Sequence, residues 1–235
     1  MPDDVSRDGR VIERRTRDEP APSRGRVSVT PAVVGVVLAL GVAALYLLAV
    51  RTDAGQRLDD DALAATASLW DATVPLTRLA RAALPLLLAA VVLVPLARAV
   101  GARAWRRLAA AALVVGVSAL GSQLLKHVLL DRPDLGHQSI PENSYPSGHV
   151  AAVTALCVAI VLLWPRGASR AVVAGWSLVA LVAVAVNVVS FAHRPSDVLG
   201  SLLLVGAVTA ATWWALRLGE TAPVTVRRRA RAQAR

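Results

Sequence analysis

The sequence predicts an all-α fold, a polytopic bundle of six transmembrane helices, and three observations carry that reading. Of 235 residues, 55% are hydrophobic and only 4% aromatic, and the apolar residues fall in long blocks. Several blocks approach the ~20 apolar residues needed to cross a bilayer, where a soluble domain would show short amphipathic periods. Arginines stand between the blocks, as the loop charges of a membrane protein do. The net charge of +10 taken alone would fit a nucleic-acid surface, but a basic surface with stacking aromatics does not fit this pattern. The expected partner is therefore the lipid bilayer and not a nucleic acid. The single cysteine, Cys157, excludes an internal disulfide and lies in an apolar block, where it reads as a small buried hydrophobe.

Taken in order, residues 1–30 are polar, rich in Arg, Asp, Pro and Ser, and read as a disordered cytoplasmic tail. The first apolar block lies too far from the terminus for a cleavable signal peptide, so it reads as a retained span. The six spans fall at 32–50, 82–99, 108–129, 149–164, 171–190 and 197–216, within a membrane domain of residues 31–218. Residues 219–235 form a second, basic tail. The longest excursion between spans runs from Arg51 to Arg81. There Asp59, Asp60 and Asp61 are placed to start a short helix through Leu63, Leu69 and Trp70, lying along the membrane surface and carrying no chemistry.

An even number of spans puts both ends on one side, and the basic residues say which. Nineteen of the 26 lysines and arginines fall on the face of the termini, and the short loops agree by themselves. The termini are thus expected in the cytoplasm. Trp105, Trp164, Trp213 and Trp214 then fall near the inner interface and Trp70 near the outer one.

The polar chemistry collects on the opposite, extracytoplasmic face. The chain uses 25 arginines and one lysine, and that lysine, Lys126, sits at the outer end of the third span. A compact ammonium stands where a guanidinium fork is this chain's habit. All four histidines (His127, His137, His149 and His193) map to outer span ends or their loops. His127 and His137 read as ordinary interfacial residues, whereas His149 and His193 are embedded in chemically sensible surroundings. Around His149 the chain reads Asn143-Ser144-Tyr145-Pro146-Ser147-Gly148-His149 before an apolar block. Ser147 is a natural N-cap and Gly148 lets the backbone approach a ligand, so helix N–H groups, a hydroxyl and an imidazole converge on one anion site. Around His193 it reads His193-Arg194-Pro195-Ser196-Asp197, with Pro195 suited to the first turn of the last span. Asp197, four residues on, can reach one imidazole nitrogen and leave the other free as base or nucleophile.

Lys126…Arg132-Pro133, Pro146-Ser147-Gly148-His149 and His193-x-x-x-Asp197, in this order at three successive outer span ends, resemble the type-2 phosphatidic acid phosphatase superfamily. That superfamily also includes undecaprenyl-diphosphate phosphatases and, more distantly, vanadium-dependent haloperoxidases. The resemblance covers roughly residues 32–216. It implies an active site on the extracytoplasmic face and hydrolysis of a lipid phosphate or diphosphate without metal or other cofactor. His193 would be the nucleophile, Asp197 its orienting carboxylate and His149 the acid and base. Lys126, Arg132, Ser147 and Gly148 would bind the phosphate. Two positions depart from the family's pattern. Five residues, not six, separate Lys126 from Arg132, and Asn187 stands where the family has an arginine six residues before the nucleophile. Arg194 is placed to supply that missing phosphate clamp.

The substrates that fit are phosphatidic acid, phosphatidylglycerol phosphate, diacylglycerol diphosphate and polyprenyl diphosphates, with the Asp131–Tyr145 loop choosing among them. A phosphotransferase of the same fold and a non-catalytic lipid-headgroup-binding protein are the alternatives. The Arg-for-Lys bias and the Ala and Val richness point to a bacterial plasma membrane. Nothing in the sequence reads out an oligomeric state.

Overall fold

The computed structural model describes residues 28–136, 140, 142–165 and 167–218, and among these the chain forms seven α-helices and no strand. Most of the amino-terminal tail, His137, Arg166 and the carboxy-terminal tail lie outside the described residues. Helix α1 (Thr30–Leu45) begins with a proline in its first turn, where the missing N–H costs nothing. It ends in one π turn, Tyr46–Val50, closed by the Arg51 N–H on the Tyr46 carbonyl at 3.1 Å. α2 (Asp53–Ala64) follows at once, then α3 (Ala67–Gly101), α4 (Trp105–Leu124, with a π turn Leu125–Leu129), α5 (Gly148–Leu163), α6 (Arg170–Val189) and α7 (Pro195–Ala215).

Among the described residues, five stretches are long and apolar enough to cross a membrane: Thr30–Val50, Thr73–Gly101, Trp105–Leu129, Arg170–Val189 and Pro195–Ala215. α5 is equally apolar but only 16 residues long. It is the packing centre, touching α3, α4, α6 and α7. Val153, Cys157 and Ile160 meet Leu88 of α3 and Ala180 and Ala183 of α6. Its other side presents Ala151 and Ala155 to Val114 of α4 and Val205 of α7. Small residues let these helices approach closely, while leucines such as Leu40, Leu86 and Leu178 point outward, where lipid would solvate them.

Two elements differ from the sequence expectation. The helix that carries the second span starts well before residue 82, since α3 runs unbroken through Pro75, Pro85 and Pro95 for 35 residues, a length of about 52 Å. Proline is tolerated inside such helices because neighbouring groups satisfy the freed carbonyls. The short helix also lies elsewhere than expected. Thr52 caps it, its hydroxyl accepting the Gly55 N–H at 3.0 Å, so the three aspartates sit in its second half, while Leu69 and Trp70 belong to α3.

α2 is folded hard back onto the end of α1. A Cβ on Gly55 would stand 2.1 Å from the Leu48 carbonyl oxygen, an approach only glycine permits. The buried Gln56 amide then donates to the Val50 carbonyl at 2.8 Å and to the Pro133 carbonyl at 3.0 Å. The inward face of α2 is therefore Gln56, Asp59 and Leu63, two polar side chains and one apolar.

Candidate active site

The amino-terminal turn of α7 is the centre of the site. Pro195 opens the helix, and Asp197, in its first turn, turns back to accept the Arg194 N–H on Oδ2 at 3.0 Å. The Ser144 hydroxyl donates to the same oxygen. His193 lies just before the helix, held by its N–H on the Asn187 carbonyl at 3.1 Å. Its Nδ1 is 3.6 Å from Asp197 Oδ2, an ion-pair distance longer than a hydrogen bond. The sequence places this pair one helical turn apart. In the structure the helix cap, not a helical turn, brings them together. Both side chains are buried.

The Pro146–His149 element meets α7 through its backbone. The Ser147 N–H donates to the Asp197 carbonyl at 3.1 Å, and the Ser201 hydroxyl donates to the Ser147 carbonyl at 2.8 Å and the Asp197 carbonyl at 2.9 Å. Ser147 caps α5 as its sequence predicts, accepting the Val150 N–H on Oγ at 3.4 Å. Its side chain is fully buried. Gly148 lies against the Gln123 amide, 2.8 Å from where a Cβ would stand. His149 is exposed and within electrostatic reach of Arg81, His193 and Lys126.

Lys126 occupies the π turn that ends α4. Asn143 fixes that turn, its amide donating to the Lys126 carbonyl at 3.0 Å and the Leu130 carbonyl at 2.9 Å. The Asn143 side-chain oxygen accepts the Tyr145 N–H at 3.2 Å, so one side chain ties the lysine turn to the serine-histidine loop. Tyr145 is fully buried, and its hydroxyl donates to the Val42 carbonyl of α1 at 2.7 Å.

The two arginines of the site are in different states. Arg132 is buried, with Nη2 3.5 Å from Asp59 Oδ2 and Nη1 3.8 Å from Asp197 Oδ1. None of its three side-chain nitrogens makes a hydrogen bond. Burial lowers its basicity, the Arg194 charge acts in the same sense, and Asp197 and Asp59 oppose both. It stays a cation, as guanidinium does in proteins. Arg194 is completely buried, and its Nη1 donates to Ser144 Oγ at 3.4 Å, its Nη2 to the Ile140 carbonyl. Its Nε lies 3.5 Å from Asp60 Oδ1. Arg132 thus has all three side-chain nitrogens without a hydrogen bond, and Arg194 only Nε. Asn187, at the position of the expected clamp, is buried with its amide on the Ala183 carbonyl at 2.8 Å and its side-chain oxygen unpartnered.

Sequence reasoning missed four contributors: Asp59, Asp60, Ser144 and Ser196. Asp59 accepts the Ser196 N–H at 3.0 Å and the Ser196 hydroxyl, which places an α2 carboxylate on the first turn of α7. Burial holds the Asp59 carboxyl above its usual range, against the pull of those hydrogen bonds and of Arg132. The one signal for it was the spacing of Gln56, Asp59 and Leu63 along a single helix face. Among the described residues, no group of three or more His, Cys, Asp and Glu side chains is arranged to hold a metal ion.

The model of the PAP2 superfamily matches residues 107–220, from the start of α4 to just past the end of α7. No curated protein and no solved structure matches the chain.

Proposed function

The chain belongs to the PAP2 superfamily, and from that premise we propose that it is an integral membrane phosphatase hydrolysing a lipid phosphate or diphosphate through a phosphohistidine. One observation carries the reading. A buried imidazole facing a buried carboxylate stands beside a buried guanidinium with no hydrogen-bond partner. A buried polar group without a partner is costly, and a phosphate oxygen is the acceptor that an open guanidinium fork fits.

In the proposed reaction the Nε2 lone pair of His193 attacks phosphorus while Asp197 steadies the ring through Nδ1. The phosphorus–oxygen bond to the lipid breaks, and protonated His149 gives its proton to the leaving oxygen. Water then attacks the phosphohistidine, His149 takes the water's proton, and the phosphorus–nitrogen bond breaks to release phosphate. Arg132, Lys126 and the Ser147–Gly148 backbone would neutralise the equatorial oxygens, where charge stabilisation matters most. Arg194 has a supporting place in this scheme, because its guanidinium is already engaged by Ser144 and the Ile140 carbonyl.

The same reading takes α5 as the sixth crossing. At 16 residues it rises about 24 Å, short of the ~30 Å hydrocarbon core. Four helices packed around it lessen its need to match the lipid thickness. With both termini cytoplasmic, as the arginine distribution favours, the His193 end of the bundle faces outward. A lipid headgroup could then be presented to the site while its tail stays in the bilayer.

The test is phosphate release by the detergent-purified chain in the presence of EDTA. Phosphatidic acid, phosphatidylglycerol phosphate, diacylglycerol diphosphate and a polyprenyl diphosphate are the substrates, and His193→Ala is the control. Release by the wild type and none by the variant is expected. A folded wild type that releases phosphate from none of the four would sink the proposal and leave headgroup binding as the function.

A further inference from the structure

α2 lies outside the region that the family model covers, yet it delivers a carboxylate to each of the two buried arginines. Asp59 stands 3.5 Å from Arg132 Nη2, and Asp60 stands 3.5 Å from Arg194 Nε. Asp59 is itself immobilised. Its Oδ1 accepts the Ser196 N–H at 3.0 Å and its Oδ2 the Ser196 hydroxyl, so it cannot follow the guanidinium if that moves. The helix that carries it is equally fixed, by the Thr52 cap, the close approach of Gly55 and the two hydrogen bonds of Gln56. Gln56 reaches the Pro133 carbonyl, one residue from Arg132, so α2 grips both the backbone and the head of the arginine segment.

We propose that α2 is part of the active centre and that Asp59 is a positioning residue for Arg132. The inference rests on the phosphatase reading and adds to it an element from the amino-terminal third of the chain. A rigid anion against one edge of the guanidinium sets its orientation and leaves its other N–H groups open for a second acceptor. That acceptor is an anionic phosphate oxygen. Without Asp59, Arg132 has Asp197 as its remaining close anion, 3.8 Å from Nη1, and would swing toward it and away from the substrate. Asp197 would then divide its charge between Arg132 and His193.

Asp59→Asn keeps an acceptor for the Ser196 N–H and removes the charge that faces Arg132. Ser196→Ala does the reverse, removing the hydroxyl and keeping the charge. In the full-length chain in detergent, binding of orthovanadate is measured directly, alongside kcat and KM on the best lipid. Asp59→Asn is expected to weaken vanadate binding and raise KM by roughly ten-fold, the effect of one misaligned charge-assisted hydrogen bond. Ser196→Ala is expected to do markedly less, and Asp59→Glu to restore part of the loss. In an Arg132→Gln background the Asp59→Asn change should have no further effect on vanadate affinity, because the two act as one unit. That cycle also separates positioning from a general loss of structure, and Asp59→Glu carries the test if the asparagine variant does not fold. Wild-type affinity in Asp59→Asn would overturn the proposal, and tighter binding would mean that Asp59 competes with the anion. A wild type that neither binds vanadate nor turns over lipid would instead overturn the phosphatase reading beneath it.

Discussion

Replacing Gly200 by alanine tests whether the tyrosine wedge between α1 and α7 holds the serine-histidine loop in place. A Cβ at this position would stand 2.4 Å from Tyr145 Cε2, 2.6 Å from Cζ and 2.7 Å from the hydroxyl oxygen. A phenol ring cannot bend away, so it must move as a body. Tyr145 is fully buried and anchored by its hydroxyl on the Val42 carbonyl at 2.7 Å, so movement strands both polar groups. Overpacking and the broken hydrogen bond together should cost about 2–4 kcal/mol. For a chain of this size that is a fall in melting temperature of about 5–15 °C. The assay is thermal unfolding in detergent, followed by circular dichroism, with phosphate release measured well below the transition. Activity should fall too, since Pro146 and Ser147 follow directly on the displaced ring. In a Tyr145→Leu background the glycine change should cost much less. An unchanged melting temperature, or the same loss in both backgrounds, would refute the reasoning.

Two further outcomes follow from the contacts around the site. Asn143→Ala removes the clamp on the Lys126 and Leu130 carbonyls, and should raise KM for the lipid several-fold for a stability loss of only about 1 kcal/mol; unchanged KM would mean that Asn143 does not place Lys126. The pH dependence of stability should differ between the wild type and Asp59→Asn. Because burial raises the folded-state pKa of Asp59 above its unfolded value, its contribution is fully present at low pH and is lost as pH rises through the raised pKa. The melting temperature of the wild type, relative to the variant, should therefore decline as pH rises from the ordinary carboxylate range through the raised pKa, and a flat difference would contradict that sign.

The elements read most easily from sequence were those whose cause is local. Ser147 caps α5 and Pro195 opens α7 because each acts on its own neighbours, and both stand where the sequence puts them. The long apolar blocks mark their helices for the same reason, since length and hydropathy are properties of a segment alone. Read from sequence, the polar excursion ends at Arg81 and the next span starts at 82, whereas α3 runs on from Ala67 through Pro75, and only the surrounding bundle makes a helix through that proline tolerable. The three aspartates of α2 read as the start of a short surface helix without chemistry, since acidic residues suit a helix amino terminus. Asp59 meets Arg132 and Ser196 and Asp60 meets Arg194, and only the fold brings these near. Ser144 is hidden for the same reason, being 53 residues from the carboxylate it meets. Gly55 and Gly200 carry no mark at all, because what requires them is an atom of a different segment.

The bond between Asp59 and Ser196 spans 137 residues of chain. During synthesis α2 is made long before its partners, so its aspartates wait in water for an arginine that arrives after α4 and a serine that arrives after α6. The last of the described helices is thus the one that completes the site. A chain that stops before α7 leaves Asp59 without its hydrogen-bond donors and Tyr145 without the glycine it lies on. Such a product should be recognisable as unfinished, since its loose acidic helix gives quality-control proteases a handle that the complete chain conceals.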